Sequence, residues 1–136
     1  KPDVGEKVNV AIRKLAEEAA QRAGFPGFVP DACLINRYLP GDRLSLHQDR
    51  DERDFSAPIV SVSLGLDATF QLGGLRRRDP STRHLLRHGD VLVFGGPSRL
   101  RFHGILPIKD APLFGTAQSH PLLRGARVNL TLRRAG

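Results

Sequence analysis

The sequence of 136 residues contains no methionine, no tryptophan and a single cysteine, Cys33. One thiol excludes an internal disulfide framework and any zinc site built from several cysteines. This usage fits a reducing compartment, so we expect a cytoplasmic protein. No apolar run approaches the roughly 18 residues that a membrane-spanning helix needs, and no signal-peptide pattern is present. A chain that lacks an initiator methionine is expected to be a fragment or a trimmed form of a longer protein.

Positive charge is present in clear excess. The chain has 21 Lys and Arg residues against 14 Asp and Glu residues, which gives a formal net charge of +7. Such a molecule attracts polyanions. Its length is that of one domain, and its fractions of hydrophobic residues (40%) and charged residues (26%) are ordinary for a globular protein.

Hydrophobic periodicity predicts one helix followed by many short strands. Apolar residues recur at three- and four-residue steps over residues 5–23, and Gly24 and Pro26 end the helix. Short β-rich segments separated by Gly, Pro and Asp turns then predict a mainly β fold, a sandwich or barrel, with the helix packed outside. The predicted strands cover residues 32–38, 59–64, 68–72, 82–87, 91–94, 100–105 and 126–133. Residues 109–123 are predicted to form a loop.

The most informative local motif is His47-Gln48-Asp49. In an extended segment His47 and Asp49 point to the same side, because side-chain direction repeats every two residues. The pair can therefore supply two ligands to one metal, and His103 is the leading candidate for the third. Two histidines and one carboxylate form the facial triad of non-haem Fe(II) oxygenases. The motif alone, however, favours the alternative of surface groups joined by a structural hydrogen bond.

The C-terminal strand alternates between polar and apolar residues. Arg127, Asn129, Thr131 and Arg133 share one face, and apolar side chains share the other. The simpler interpretation, which the pattern alone favours, is a half-exposed strand with its polar face in water. In the alternative, that face points into a barrel, where the guanidinium groups would bind a dicarboxylate.

Taken together and in order, the motifs of this chain closely resemble those of the AlkB family of Fe(II)- and 2-oxoglutarate-dependent nucleic-acid repair dioxygenases, nearest its bacterial branch. Any one motif is weakly specific, whereas their order and spacing are strongly so. The resemblance covers nearly all of residues 26–136. The segments that carry it are Asn36-Arg37-Tyr38, His47-Gln48-Asp49 with Asp51-Glu52, residues 58–65, 73–75, 88–91 and 98–100, His103-Gly104-Ile105, and Arg127 with residues 129–131 and Arg133.

The resemblance implies a double-stranded β-helix, or jelly-roll, core and a set of site residues. The iron ligands that it implies are His47, Asp49 and His103. The residues that it implies for 2-oxoglutarate are Asn36, Tyr38, Arg127, Asn129 and Arg133. The residues that it implies for the damaged base are Asp51 and Arg77.

The implied activity is oxidative demethylation of 1-methyladenine and 3-methylcytosine in single- or double-stranded DNA, and in RNA. The reaction would use Fe(II), 2-oxoglutarate and O2 and release formaldehyde, succinate and CO2. Alternatives are a 2-oxoglutarate oxygenase that acts on a protein or small molecule, a basic nucleic-acid-binding module without catalysis, and a metal-binding barrel of the cupin type. We expect residues 1–136 to be one catalytic core and a monomer, with most of the family's upstream nucleotide-recognition lid absent.

The sequence contains other basic residues, histidines and a cysteine outside these motifs. The run Arg76-Arg77-Arg78 is the most concentrated basic patch, and a solvated turn is the alternative for it. His84 and His88 are predicted to lie on one strand, about 13 Å apart at 3.3 Å per residue, too far apart to share one ion. Both are therefore interpreted as structural. His120 is expected to be exposed, and Cys33 is expected to be a buried, inert thiol in a core strand.

Overall fold

The structure, a computed structural model, describes residues 4–50, 55–109, 123–134 and 136. Helix α1 spans Val4–Arg22 and is followed by eight described strands. In chain order these are β1 (Ala32–Tyr38), β2 (Leu44–His47), β3 (Ile59–Gly65), β4 (Ala68–Leu72), β5 (Thr82–Leu86), β6 (Val91–Phe94), β7 (His103–Ile105) and β8 (Arg127–Arg133). The helix and all seven predicted strands are present, with shifts at some ends, and β2 is an additional strand.

The strands form two antiparallel four-stranded sheets. The first has the order β1-β8-β3-β6 and the second the order β2-β7-β4-β5. A hydrophobic cluster with members from both sheets occupies part of the space between them and includes Tyr38 of β1, Phe70 of β4 and Ile105 of β7. This two-sheet arrangement agrees with the predicted jelly-roll core.

Helix α1 covers the outer side of the first sheet. Ala16 and Ala20 are fully buried and cluster with Val60 and Val62 of β3 and with Leu132 of β8. Because side chains alternate along a strand, the residues between these apolar positions face the interior. Helix α1 thereby decides between the two interpretations of β8. The polar face of β8 points into the molecule, and the half-exposed alternative is wrong.

Cys33 is exposed, which contradicts the prediction of a buried thiol. It lies on β1, which is an edge strand of the first sheet and pairs only with β8. The helix packs on β3 and β6 rather than over β1. Consequently Ile35, which points to the same side of β1 as Cys33, is exposed as well.

The two histidines near β5 have structural contacts, although the premise that they share a strand was wrong. His84 lies on β5 and shares a hydrogen bond of 2.8 Å with the Thr82 hydroxyl. His88 lies beyond the end of β5, and its Nδ1 accepts a hydrogen bond of 2.9 Å from the Gly65 backbone N–H. Neither belongs to a cluster that could hold a metal ion in the part of the chain that the structure describes.

Two sequence-based expectations lie outside the described residues. They concern the loop conformation predicted for 109–123, of which only the ends are described, and the exposure of His120. Across the described ranges, no helix is both long enough and apolar enough to cross a membrane.

Gly65, at the end of β3, provides a test of the fold. Its φ of +84° is left-handed, and a Cβ there would collide with the carbonyl oxygen of Ala126, just before β8. Gly89 has a similar φ of +89° with open space around it. We expect Gly89→Ala to lower the free energy of unfolding by about 1 kcal/mol and Gly65→Ala by about 2–5 kcal/mol, because overpacking adds to backbone strain. Urea unfolding of both variants measures the difference, and equal losses would contradict the predicted collision.

Candidate metal centre and its pocket

Three potential metal ligands converge where β2 and β7 meet. His47 ends β2 and pairs directly with His103, the first residue of β7, and Asp49 follows two residues after His47. The His47 and His103 Nε2 atoms each lie 3.5 Å from an oxygen of the Asp49 carboxylate. One ligand atom from each of the three residues lies within 4.8 Å of the others. The structure thus brings together the three residues that the sequence predicted as ligands.

The two imidazole rings are oriented by backbone carbonyls behind them. His47 Nδ1 lies 3.0 Å from the Ser45 carbonyl oxygen, and His103 Nδ1 lies 3.2 Å from that of Arg101. A carbonyl only accepts, so each Nδ1–H donates. A protonated ring then donates its Nε2–H to Asp49, whereas a ring without that proton presents its Nε2 lone pair on the same side. Hydrogen bonds of this kind fix the tautomer and the orientation of metal-binding histidines.

The Asp49 carboxylate is held in its ionised form. Burial raises its pKa, but hydrogen bonds with His103 and His47 and the charge of Arg133 outweigh burial and hold the pKa far below its usual range. Arg133 Nη1 lies 3.8 Å from the carboxylate. The hydrogen bond between Asp49 and His47 also acts on the histidine, because it is the main cause of the raised pKa of His47. The carboxylate therefore favours a cation between the two rings.

The donor set of two imidazoles and one carboxylate suits Fe(II) with positions left open for other ligands. His103 is buried and contacts the rings of Phe70 and Phe94, with centroid distances of 5.8 and 4.9 Å. His47 lies on the more open side, since its side chain is 35% exposed. Access to the centre is therefore asymmetric.

A cavity of about 250 Å³ adjoins these three residues and lies between the two sheets. All five residues that the resemblance implies for 2-oxoglutarate line this cavity. They are Asn36, Tyr38, Arg127, Asn129 and Arg133. These five residues lie on the sides of β1 and β8 that face the interior, because helix α1 packs on the outer side of this sheet.

Arg127 is the most unusual residue of the cavity. It is 1% exposed, and its Nε and Nη1 have no hydrogen-bond partner within the described part of the chain. Burial lowers the pKa of its guanidinium, and its Cζ lies 6.0 Å from the centroid of the Tyr38 ring. A buried charged group without partners is costly, whereas a carboxylate would satisfy a guanidinium with two parallel hydrogen bonds. Arg127 therefore fits one end of a dicarboxylate.

Polar groups on β3 lie beside Asn129, and one of them, Ser61, lines the cavity. The sequence analysis missed these groups as site residues. The Asn129 amide donates hydrogen bonds to the Ser61 hydroxyl (2.7 Å) and to the Val62 carbonyl (3.2 Å). The Ser63 hydroxyl is buried and has no partner among the residues described. The alternation of serines with branched apolar residues over 59–64 is the signal that would have placed these hydroxyls on the inner face.

The two residues predicted to contact the base differ in what the structure shows. The Arg77 side chain is exposed, donates a hydrogen bond of 2.9 Å to the Leu46 carbonyl and lies 4.9 Å from the centroid of the Phe102 ring. It therefore contacts the residues immediately before both histidines of the centre. Asp51 lies outside the described residues.

Comparison with known proteins agrees with this geometry. Residues 1–133 match the family model of the 2OG-Fe(II) oxygenase superfamily. The chain is 60% identical over 126 residues to the alpha-ketoglutarate-dependent dioxygenase AlkB of Escherichia coli strain K12, covering 93% of this chain and 55% of that protein. It is 36% identical over 146 residues to the nucleic acid dioxygenase ALKBH1 of Mus musculus, covering 88% of this chain and 38% of that protein. The solved structure of OsALKBH1 superposes with a TM-score of 0.73 at 34% identity, covering 91% of this chain and 64% of that one.

The jelly-roll fold and the His-Asp-His centre are thus those of a 2OG-Fe(II) oxygenase, and the chain belongs to that superfamily. Within it, the chain belongs to the AlkB family, as the sequence motifs indicated. The chain spans about half the length of the Escherichia coli relative.

Proposed function

We propose that this chain is the iron- and 2-oxoglutarate-binding core of an oxidative demethylase that acts on alkylated bases in nucleic acid. The observation that carries the proposal is one cavity that joins the His47, Asp49 and His103 cluster to the Arg127 guanidinium, whose Nε and Nη1 have no partner among the described residues. A metal ion at one end and a buried cation at the other are what a 2-oxo dicarboxylate needs.

In this proposal His47, Asp49 and His103 hold Fe(II). Arg127 binds the carboxylate of 2-oxoglutarate that is remote from the metal, and Tyr38 donates a hydrogen bond beside it. Burial raises the pKa of Tyr38, which keeps its phenol protonated at neutral pH. Asn36, Asn129 and Arg133 complete the cosubstrate pocket. When bound, Fe(II) with 2-oxoglutarate and O2 supplies the oxidising power to hydroxylate a methyl group, and the hydroxymethyl product on nitrogen leaves as formaldehyde.

The proposed substrate is a nucleic acid bearing 1-methyladenine or 3-methylcytosine. The net charge of +7 favours phosphate contacts that weaken as salt rises, and the mouse relative is named as a nucleic acid dioxygenase. A base in a duplex must leave the stack to reach an enclosed site. We propose Arg77, at the rim of the centre, and Asp51 as the groups that contact the base. We also propose that the protein is cytoplasmic and monomeric.

The test is an assay with oligonucleotides that carry one 1-methyladenine or one 3-methylcytosine, in the presence of Fe(II), 2-oxoglutarate and O2. We expect mass spectrometry to detect the unmethylated oligonucleotide, with formaldehyde and succinate formed in proportion to it. The unmethylated oligonucleotide is the matched control and should yield no formaldehyde. Because the chain spans about half the length of the Escherichia coli relative, the assay is run with the chain and with a longer form of the protein. Succinate formation without demethylation by either form would overturn the proposed substrate but not the proposed oxygenase chemistry.

A further inference from the structure

Two side chains cross between the segment that carries Asp49 and the turn that precedes His103. The Gln48 side-chain amide donates a hydrogen bond of 2.8 Å to the Leu100 carbonyl. In the opposite direction, Arg99 Nη1 donates a hydrogen bond of 2.7 Å to the carbonyl of Asp49. Each side chain therefore binds the backbone of the other segment. We call the pair Gln48 and Arg99 the clasp.

Arg99 is one of the largest fully buried side chains, with an exposure of only 2%. Its Nε donates a second hydrogen bond of 3.0 Å to the Ala57 carbonyl, and its Cζ lies 5.4 Å from the centroid of the Phe55 ring. The planar fork of one guanidinium thus holds two carbonyls that lie on either side of residues 51–54. Burying such a charge is unfavourable unless its donors are satisfied. An arginine in this place therefore fixes the backbone around it.

The sheet itself gives the ligand segment little support. Strand β7 has only three residues, and the pairing of β2 with β7 is irregular between Leu44 and His47. Asp49 lies beyond the end of β2, where strand pairing no longer determines its position. The hydrogen bonds of the clasp act at Gln48 and Asp49, where this support ends.

We infer that Gln48 and Arg99 are positioning residues that set the metal affinity of the centre by holding Asp49 opposite His103. The inference rests on the proposed function, because it concerns the affinity of the proposed iron ligands. Groups that orient metal ligands typically change metal affinity by about 10- to 100-fold when they are removed. The clasp acts on the ligand backbone rather than on the ring nitrogens or the carboxylate oxygens, and it has no contact with the Arg127 end of the cavity in the hydrogen bonds described.

The experiment measures the dissociation constant of Mn(II), used as the metal probe, by electron paramagnetic resonance of the unbound ion in the presence of 2-oxoglutarate. We expect Gln48→Ala and Arg99→Lys each to raise that constant by about tenfold. The matched control is Gln71→Ala, which also removes a side-chain amide. Gln71 lies on β4, and its amide donates a hydrogen bond of 2.9 Å to the Ser81 hydroxyl, away from the ligand segments. This control should stay within about twofold of the wild type.

A second readout separates positioning from general loss of structure. At saturating metal, the KM for 2-oxoglutarate of both clasp variants should stay within about twofold of the wild type, whereas a disrupted core would raise it. If Arg99→Lys does not fold, Gln48→Ala tests the inference alone, because Gln48 is only half-buried. Unchanged Mn(II) affinity in the clasp variants, or an equal loss in Gln71→Ala, would overturn the inference. A wild-type protein that bound no Mn(II) would instead overturn the proposed metal centre, and the clasp with it.

Discussion

Replacing His103 by alanine should reduce succinate formation to the level of a blank without protein. His103 supplies one of three converging ligand atoms, and its ring is buried against Phe70 and Phe94. No other described histidine, cysteine, aspartate or glutamate joins this cluster, so nothing in the described chain can replace the lost nitrogen. A coupled assay for succinate at saturating Fe(II) and 2-oxoglutarate measures the effect.

The matched control is His84→Ala, which removes the same side chain from the exposed strand β5 and should keep wild-type turnover. His103→Gln keeps much of the bulk between the two phenylalanines but removes the imidazole nitrogen, so it should be folded and equally inactive. Far-ultraviolet circular dichroism and thermal unfolding verify that these variants fold. Substantial turnover by folded His103→Gln and His103→Ala would contradict the assignment of His103 as a ligand.

The sequence alone was enough to predict that His47, Asp49 and His103 lie together, as they do in the structure. An H-x-D motif places two potential ligands on one side of an extended segment. His103 is the leading candidate for the third, and the family resemblance implies the same residue. The polar face of β8 was harder to interpret. Its alternation specifies which residues share a face, but not whether that face meets water. That decision depends on helix α1, which packs on Val60, Val62 and Leu132 and leaves the polar side of β8 to the interior.

The wrong predictions have a related physical cause. Cys33 has the local pattern of a core strand, but β1 is an edge strand that the helix does not cover. Sheet order is a property of long-range pairing, and a single segment does not contain it. Arg99 shows the opposite case. An arginine in a polar turn is expected to be exposed, yet its donors meet two carbonyls that are 50 and 42 residues away in the chain.

Replacing Arg127 by methionine should have opposite effects on two properties of the protein. Methionine removes the buried charge but fills much of the same space. In the ligand-free protein the guanidinium is 1% exposed and leaves Nε and Nη1 without partners among the described residues. Replacing buried charged groups with apolar side chains is often neutral or stabilising. We therefore expect the ligand-free variant to be as stable as the wild type, or more stable by up to about 2 kcal/mol.

Binding of 2-oxoglutarate should weaken strongly in the same variant. Hydrogen bonds to charged groups contribute about 1.5–3 kcal/mol each, so the loss of two corresponds to roughly 10²- to 10⁴-fold in the dissociation constant. Calorimetric titration of the Mn(II)-loaded protein measures that constant directly. The rise in Tm that 2-oxoglutarate causes by binding only the folded protein should also largely disappear.

The control for this pair of measurements is Arg37→Met. Arg37 lies on β1 opposite Val128, the residue that follows Arg127. Unlike the Arg127 side chain, the side chain of Arg37 is exposed. Its replacement should leave the affinity for 2-oxoglutarate within about twofold of the wild type. The combination of unchanged or higher stability with lost affinity distinguishes a binding arginine from a structural one, since removal of a structural arginine would lower stability first. If Arg127→Met lost several kcal/mol of stability without ligand, or bound 2-oxoglutarate like the wild type, Arg127 would not be the group that binds the remote carboxylate.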